Sequence, residues 1–184
     1  LHRLIRRQRQ MCIRDSLNDA ASDELCADLA GRAWREGRRA LEAEFGIPMP
    51  DDSLLETMLG KFSSPYFRDR IDRVVRQPIR KLSRGDRFLG PALLCLKHGI
   101  MPFFILRAAA YGFFVPSAGD EQAAKIEETL ASMPLEDAVI KITALDPTAP
   151  DEAIACRLLV GFVQEIRCLK KAEKLRPADG GETR

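Results

Sequence analysis

The sequence predicts an all-α fold, a single domain of six to eight helices, on three observations. Apolar residues recur with the helical period in one segment after another, and Gly or Pro residues separate these segments. Strand signals are almost absent, because no hairpin dipeptide stands between alternating apolar and polar runs. With 184 residues, of which 46% are hydrophobic and 30% charged, the chain is long enough to bury one core.

The first predicted helix occupies residues 25–45. Its apolar residues at intervals of four are Leu25, Leu29, Ala33, Gly37, Leu41 and Phe45, with Ala30, Trp34 and Ala40 beside them. We expect this stripe to face the core, since charged residues fill the opposite side. Gly46 is expected to end the helix, and Pro48 and Pro50 to prevent its continuation.

Six further helices are predicted after it. Ser53 and Glu56 have the spacing of a capping box, which predicts that the second helix begins at Ser53. The others are predicted at residues 90–99, 100–114, 120–133, 135–145 and from Pro150 to about residue 166. The helix over 100–114 is the most apolar and is expected to be the most buried.

The two ends of the chain are set apart from the helical domain of residues 17–169. Residues 1–16 hold five arginines and one aspartate without a helical stripe, and we expect a non-native or disordered tail there, with a basic presequence as the alternative. Residues 170–184 are charged and glycine-rich and are expected to form a frayed polar tail.

Several classes of function are disfavoured. The five cysteines are scattered, none forms a C-x-x-C pair, and there are two histidines, so neither a zinc site nor a disulfide framework is expected. No apolar run is long enough for a membrane span, and a reducing cytoplasm fits the cysteine usage. Neither G-x-G-x-x-G nor a P-loop occurs, so we expect no cofactor-binding residue and no metal in this chain.

The most informative segment is basic and covers residues 68–87. It holds eight basic residues against Asp69, Asp72 and Asp86, whereas residues 17–184 as a whole are slightly acidic. Because Pro78 and Gly85 interrupt it and apolar residues anchor it, its arginines are expected to point in defined directions. An anionic ligand is one interpretation, since guanidinium groups bind phosphate oxygens bidentately. Arg–Asp surface pairs without a ligand are the alternative; nucleic acid is disfavoured because no aromatic residue is interleaved and the remaining chain is acidic.

The segment from Arg73 to Arg87, R-V-V-R-Q-P-I-R-K-L-S-R-G-D-R, closely resembles the R-V-x-R-x-P-x-R-K-L-x-x-x-D-R stretch of mannitol-1-phosphate 5-dehydrogenases. Upstream, K-F-S-S-P at residues 61–65 and Asp69 are similar to that family's R-F-x-N-P-x-x-x-D, with Lys61 and Ser64 as departures. The resemblance runs from about residue 25 to 166. It implies the all-α C-terminal domain of the mannitol dehydrogenase family, here a fragment without the N-terminal domain that binds NAD.

The resemblance also implies roles for individual residues. Arg73 and Lys81 match cations that contact substrate oxygens in related polyol dehydrogenases. Arg76, Arg80 and Arg87 belong to the form of the motif found in phosphate-using members, which implies phosphate binding. Asp69 and Asp86 are expected to orient arginines, and Arg84, at a variable position, is expected to be a solvated surface residue.

By this resemblance the whole enzyme converts mannitol 1-phosphate and NAD into fructose 6-phosphate and NADH. No residue of this chain matches the family's catalytic lysine motif, so no catalytic residue is expected here and the fragment alone is expected to be inactive. Two alternatives remain. A hexuronate reductase of the fructuronate or tagaturonate type would use the same fold on a carboxylate, and a non-catalytic helical interaction module would need no substrate.

Overall fold

The computed structural model describes residues 17–64, 66, 69–116 and 119–174, and this part of the chain is helical without an extended strand. The predicted all-α class is therefore confirmed. The helices are α1 Leu17–Ala21, α2 Glu24–Phe45, α3 Asp52–Phe62, α4 Ile71–Val74, α5 Pro78–Leu82, α6 Leu89–Lys97, α7 Phe103–Tyr111, α8 Glu121–Ser132, α9 Leu135–Thr143 and α10 Pro150–Lys174. A 3-10 turn, Gly112–Phe114, follows α7.

The predicted tail at residues 1–16 lies outside the described residues and stays a prediction. At the other end, α10 continues to Lys174, five residues beyond the predicted limit of the helical domain at residue 169. None of the described helices has both the length and the hydropathy needed to cross a membrane.

Helix α2 has nearly the predicted bounds and buries a face that overlaps the predicted one only in part. Its N-cap is Asp23, whose carboxylate accepts the backbone N–H groups of Leu25 and Cys26 at 3.0 Å, and Gly46 ends it with a left-handed φ of 66°. The buried residues are Gly31, Glu36 and Ala40, whereas Leu41 and Phe45 of the predicted stripe are 38% and 62% exposed. The predicted face is therefore confirmed at Ala40 and, partly buried against the core, at Ala33, but it is wrong at Leu41 and Phe45.

Glu36 joins the buried face of α2 because of the way α7 begins. The carboxylate of Glu36 accepts the backbone N–H of Phe104, at 3.0 Å from both oxygens, and that of Ile105 at 2.9 Å. These donors have no partner within their own helix, so Glu36 supplies from α2 the cap that Pro102 cannot give. The buried face of α2 therefore includes a carboxylate that a purely hydrophobic pattern excludes.

Helix α3 also begins differently from the prediction. Its N-cap is Asp51, whose Oδ1 accepts the backbone N–H of Ser53 at 3.0 Å. The predicted start at Ser53 with a Ser53–Glu56 capping box is thus wrong, since an aspartate two residues earlier already caps the first turn.

Helix α7 lies at the centre of the fold and packs against α2, α6 and α10. Its Leu106 is fully buried, as are Leu89 of α6 and Leu159 of α10. Together with α6 it forms the apolar middle of the domain, as its composition predicts. Helices α8 and α9 pack on each other and on α5, at the side of the fold that carries the basic segment.

Leu82 connects the basic segment to the core. It is 1% exposed, and its Cδ2 would lie 3.1 Å from a Cβ atom placed on residue 112, so glycine at that position lets Leu82 seat against the 3-10 turn. Burying a leucine side chain contributes about 2 kcal/mol to stability. This contact fixes the C-terminal end of α5 and with it the position of the neighbouring cations.

Candidate anion-binding site

The basic segment folds as two short helices joined by a tight turn. Pro78 occupies the first turn of α5, where its fixed φ is favourable, and both Pro78 and Leu82 are buried. Ile79 and Phe88 pack partly buried against the core, whereas Val74 at the end of α4 is 37% exposed. The expected apolar anchoring is therefore stronger at Ile79, Leu82 and Phe88 than at Val74.

Asp86 holds two of the predicted phosphate-binding arginines. Its Oδ2 accepts the Arg80 Nη1 at 2.8 Å, and its Oδ1 accepts the Arg87 Nε at 3.1 Å and the Arg87 backbone N–H at 2.7 Å. The backbone N–H of Arg87, followed by its guanidinium and that of Arg80, lowers the pKa of the Asp86 carboxyl below its ordinary value. The carboxylate is ionised at neutral pH, and each of its oxygens bonds to one of the two guanidinium groups.

Lys81 lies half-buried between these arginines. Its Nζ donates a hydrogen bond to the backbone carbonyl of Val74. Burial, followed by the charges of Arg87 and Arg80, lowers the pKa of Lys81 below the ordinary lysine value. The ammonium group is therefore held where positive charge is already in excess, which is the electrostatic condition of an anion site.

Arg73 and Arg76 precede α5 in the segment, and both are exposed. The Arg76 charge contributes to the lowered pKa of Asp120, which places it on the α8 side of the cluster. Arg73 pairs with Asp69 through its Nε at 3.1 Å, with 72% of its side chain exposed. The structure thus brings Arg80, Lys81 and Arg87 together around Asp86, with Arg76 beside them and Arg73 at the edge.

Arg84 is more than the solvated surface residue that its sequence context predicts. Its guanidinium pairs with Glu152 in the first turn of α10, and Glu152 is 4% exposed. The backbone N–H of Arg84 also donates to the Thr143 carbonyl at 2.8 Å, and Glu152 accepts the Asp146 N–H at 2.8 Å. The loop between α5 and α6 is therefore tied to the α9–α10 connection, a role that the expectation for Arg84 missed.

Two further residues that sequence reasoning did not select belong to the site. Asp120 caps α8 and also accepts the backbone N–H of Gln77 at 2.9 Å, and Gln122 accepts the backbone N–H of Arg80 at 3.2 Å. Asp120 was recognisable as the start of a helix, but nothing in the local sequence connects it with residues more than forty positions earlier.

A cavity of about 400 Å³ lies beside the cluster, with apolar walls. Arg87 stands at its border, and the walls include Trp34 and Leu41 of α2, Pro91 and Leu94 of α6 and Ala108 of α7. Part of the stripe predicted to be the core face of α2 therefore lines this cavity.

Within the described residues, no group of three or more His, Cys, Asp or Glu side chains could hold a metal ion. The charged side chains described at the site include more cations than carboxylates. Among the described residues, Arg76, Arg80, Lys81 and Arg87 lie around the carboxylates of Asp86 and Asp120, so that cations outnumber carboxylates four to two in this group.

Comparison with known proteins identifies the family of the chain. A sequence model described as the mannitol dehydrogenase C-terminal domain matches residues 13–158, so the match begins within the segment 1–16 that was set apart. Among curated proteins, the mannitol-1-phosphate 5-dehydrogenase of Thermoanaerobacter pseudethanolicus is 35% identical over 133 residues, which are 71% of this chain and 34% of that protein.

Two more relatives carry the same description. The protein of an Arthrobacter species is 37% identical over 121 residues, 66% of this chain and 30% of that protein. The protein of Aspergillus terreus is 31% identical over 134 residues, 72% of this chain and 34% of that protein. The chain spans about a third of the length of these relatives.

Proposed function

Because the chain belongs to the mannitol dehydrogenase family, whose C-terminal domain it carries, we propose that it is the substrate-binding domain of an NAD-dependent mannitol-1-phosphate 5-dehydrogenase. The whole enzyme would oxidise D-mannitol 1-phosphate to D-fructose 6-phosphate and reduce NAD to NADH. The observation that carries the proposal is the cluster of Arg80, Lys81 and Arg87 around Asp86.

The excess charge of the cluster favours a phosphate ester. A phosphate monoester carries about −1.5 to −2 charges at pH 7, whereas a carboxylate carries one. The excess of cations over carboxylates among the described residues of the site therefore matches a phosphate more closely than the carboxylate of a hexuronate. The guanidinium groups of Arg80 and Arg87, which Asp86 holds on its two oxygens, can each donate two N–H groups to phosphate oxygens.

In this proposal the chain binds and orients the substrate. The phosphate would lie against Arg80 and Arg87, with Lys81 donating to the same anion or to a neighbouring hydroxyl. Arg73, which is exposed and paired with Asp69, would contact oxygens of the sugar chain. NAD, held by a part of the enzyme that this chain does not contain, supplies the hydride acceptor.

Direct binding tests the proposed substrate class. The chain is titrated calorimetrically with mannitol 1-phosphate, mannitol and fructuronate at equal ionic strength. We expect mannitol 1-phosphate to bind most tightly and its affinity to fall as salt is added, because the interaction is between charges. Preference for fructuronate would favour the hexuronate reductase, and absence of binding by all three compounds would favour a helical module without a substrate.

Turnover requires a complete enzyme. In a chimera, residues 17–174 replace the matching part of the Thermoanaerobacter relative, and NADH formation is followed with mannitol 1-phosphate and with mannitol. We expect activity with the phosphate ester alone. A folded chimera that oxidises mannitol equally well would contradict the assignment of the cluster to phosphate.

A further inference from the structure

The turn that precedes α5 has a backbone conformation that needs support. Gln77 has φ 57° and ψ 54°, in the left-handed region, where a residue with a side chain is disfavoured by about 1–2 kcal/mol. Pro78 follows directly, and the side chains of Arg80 and Lys81 depend on where α5 begins. Contacts that fix Gln77 therefore also fix the direction in which the cations of α5 point.

Asp120 supplies this contact while it performs a second task. Its Oδ1 accepts the backbone N–H groups of Gln122 at 2.9 Å and of Ala123 at 3.1 Å, which caps α8. Its Oδ2 accepts the backbone N–H of Gln77 at 2.9 Å. The two oxygens therefore have separate partners, one in its own helix and one in the turn before α5.

The effect of this contact reaches the guanidinium of Arg80 through Gln77. The side-chain Oε1 of Gln77 accepts the Nε of Arg80 at 3.0 Å, and the Nη1 of the same guanidinium bonds to Asp86. Gln122, the second residue of α8, accepts the backbone N–H of Arg80 at 3.2 Å. The start of α8 thus holds both the backbone and, through the turn residue, the side chain of Arg80.

We propose that Asp120 is a positioning residue of the anion site, which holds the left-handed turn at Gln77 and through it orients the guanidinium of Arg80. The proposal rests on the proposed function in that the oriented group binds a phosphate ester. Asp120 itself does not contact the anion in this arrangement, since a carboxylate repels phosphate. Asp120 contributes to binding by fixing the geometry of Arg80, which lies on another helix.

Substitution of Asp120 by Asn separates the two tasks. Asn caps helices as well as Asp does, so α8 keeps its cap, but one side-chain oxygen becomes an NH₂ group that cannot accept the Gln77 N–H. The same change removes a negative charge near Arg76 and Lys81, which by electrostatics alone would strengthen anion binding. Positioning and electrostatics therefore predict opposite signs.

The experiment compares Asp120→Asn with Glu121→Gln, which removes the adjacent exposed carboxylate of α8. We expect Asp120→Asn to weaken binding of mannitol 1-phosphate by about five-fold or more, the value of one hydrogen bond, while its thermal unfolding midpoint stays close to that of the unaltered chain. Glu121→Gln should leave affinity unchanged or slightly higher. Asp120→Ser, which also keeps a capping oxygen, should reproduce the loss seen with Asn.

A second measurement does not depend on substrate. In the ¹⁵N-labelled chain, the Arg80 Nε–H resonance reports the bond to Gln77, and we expect it to be sharp in the unaltered chain and in Glu121→Gln but broadened in Asp120→Asn. Tighter binding, or an unchanged resonance in Asp120→Asn, would overturn the positioning role. If the unaltered chain binds no phosphate ester but the resonance responds as expected, the proposed substrate is wrong and the orientation of Arg80 by Asp120 still stands.

Discussion

Arg73 and Arg80 belong to the same basic segment, but the structure holds them in different ways. Arg80 bonds to Gln77, Gln122 and Asp86, and its helix is anchored by the buried Leu82. Arg73 lies on the four-residue helix α4, is largely exposed and pairs with Asp69 four residues earlier. Residues 77–87 are thus held by contacts with distant helices, whereas Arg73 is largely exposed and has an ion pair with a residue of the same segment.

This difference affects how much each cation contributes to binding. A side chain that is already ordered loses little entropy when it binds, whereas a flexible arginine must be immobilised at a cost of about 0.5–1.5 kcal/mol. We therefore expect the anchored half, residues 77–87, to provide most of the affinity for the anion. The exposed half, residues 69–76, is expected to adjust to the rest of the substrate.

The comparison is tested most directly by removing one arginine from each half. We expect Arg80→Ala to weaken binding of mannitol 1-phosphate by about 1.5–3 kcal/mol, the usual contribution of a hydrogen bond to a charged group. Arg73→Ala should cost less than about 1 kcal/mol, as exposed ion pairs do. Calorimetric titration of both variants provides the measurement, and equal losses would contradict the division of the segment.

The contacts that tie the loop after α5 to the start of α10 can be removed by substituting Glu152. Glu152→Ala removes the partner of Arg84 and the acceptor of the Asp146 N–H, and we expect it to lower the free energy of unfolding by about 2 kcal/mol. Glu165→Ala is the matched control on the same helix, because Glu165 pairs with Arg107 at 2.6 Å but is 43% exposed. It should cost about 0–1 kcal/mol. Urea unfolding of both variants distinguishes a buried anchor from an ordinary surface pair.

The longer helices of this fold could be predicted in outline because nearby residues set most of their limits. Gly46 ends α2 and Asp120 precedes α8, and each acts within one or two turns of its own helix. The short helices α1, α4 and α5 were not predicted. The face that α2 buries could not be predicted in this way. That face is decided by α7, which needs the carboxylate of Glu36 at its first turn, so a charged residue lies inside and apolar residues such as Leu41 line a cavity.

The same distinction applies to the site. The cations could be selected from the sequence because they are concentrated in one segment, and Asp86 because it belongs to the same motif. Asp120, Gln122 and Glu152 were missed, since their partners are more than forty residues away in sequence. The ion pair of Arg84, whose side chain is 57% exposed, was missed for the same reason, because Glu152 lies beside the loop only after α10 has packed there. Local patterns thus selected the cations that we propose bind the anion, but not the residues that contact these cations from other helices.

The smallest expected effect is the pH dependence of anion affinity, and it again distinguishes the anchored half of the basic segment from the exposed half. An anion binds the charged form of Lys81, so affinity should fall as pH rises through the pKa of this residue. Burial and the neighbouring Arg87 and Arg80 lower that pKa from the ordinary value of 10.5, so the fall should begin below the usual lysine range. The phosphate ester is already fully ionised well above its pKa of about 6 and does not add to this change.

Two substitutions isolate the cause of the alkaline decline. Lys81→Arg keeps the positive charge at high pH, because an arginine stays protonated there, and we expect it to flatten the affinity profile between neutral pH and pH of about 10. Arg73→Lys places a titratable cation in the exposed half, where water solvates it, and the decline should then keep the pH dependence of the unaltered chain. If Lys81→Arg left the affinity profile unchanged, the charge of Lys81 would not contribute to anion binding. Lys81 would then no longer count among the cations of the anchored half that bind the anion.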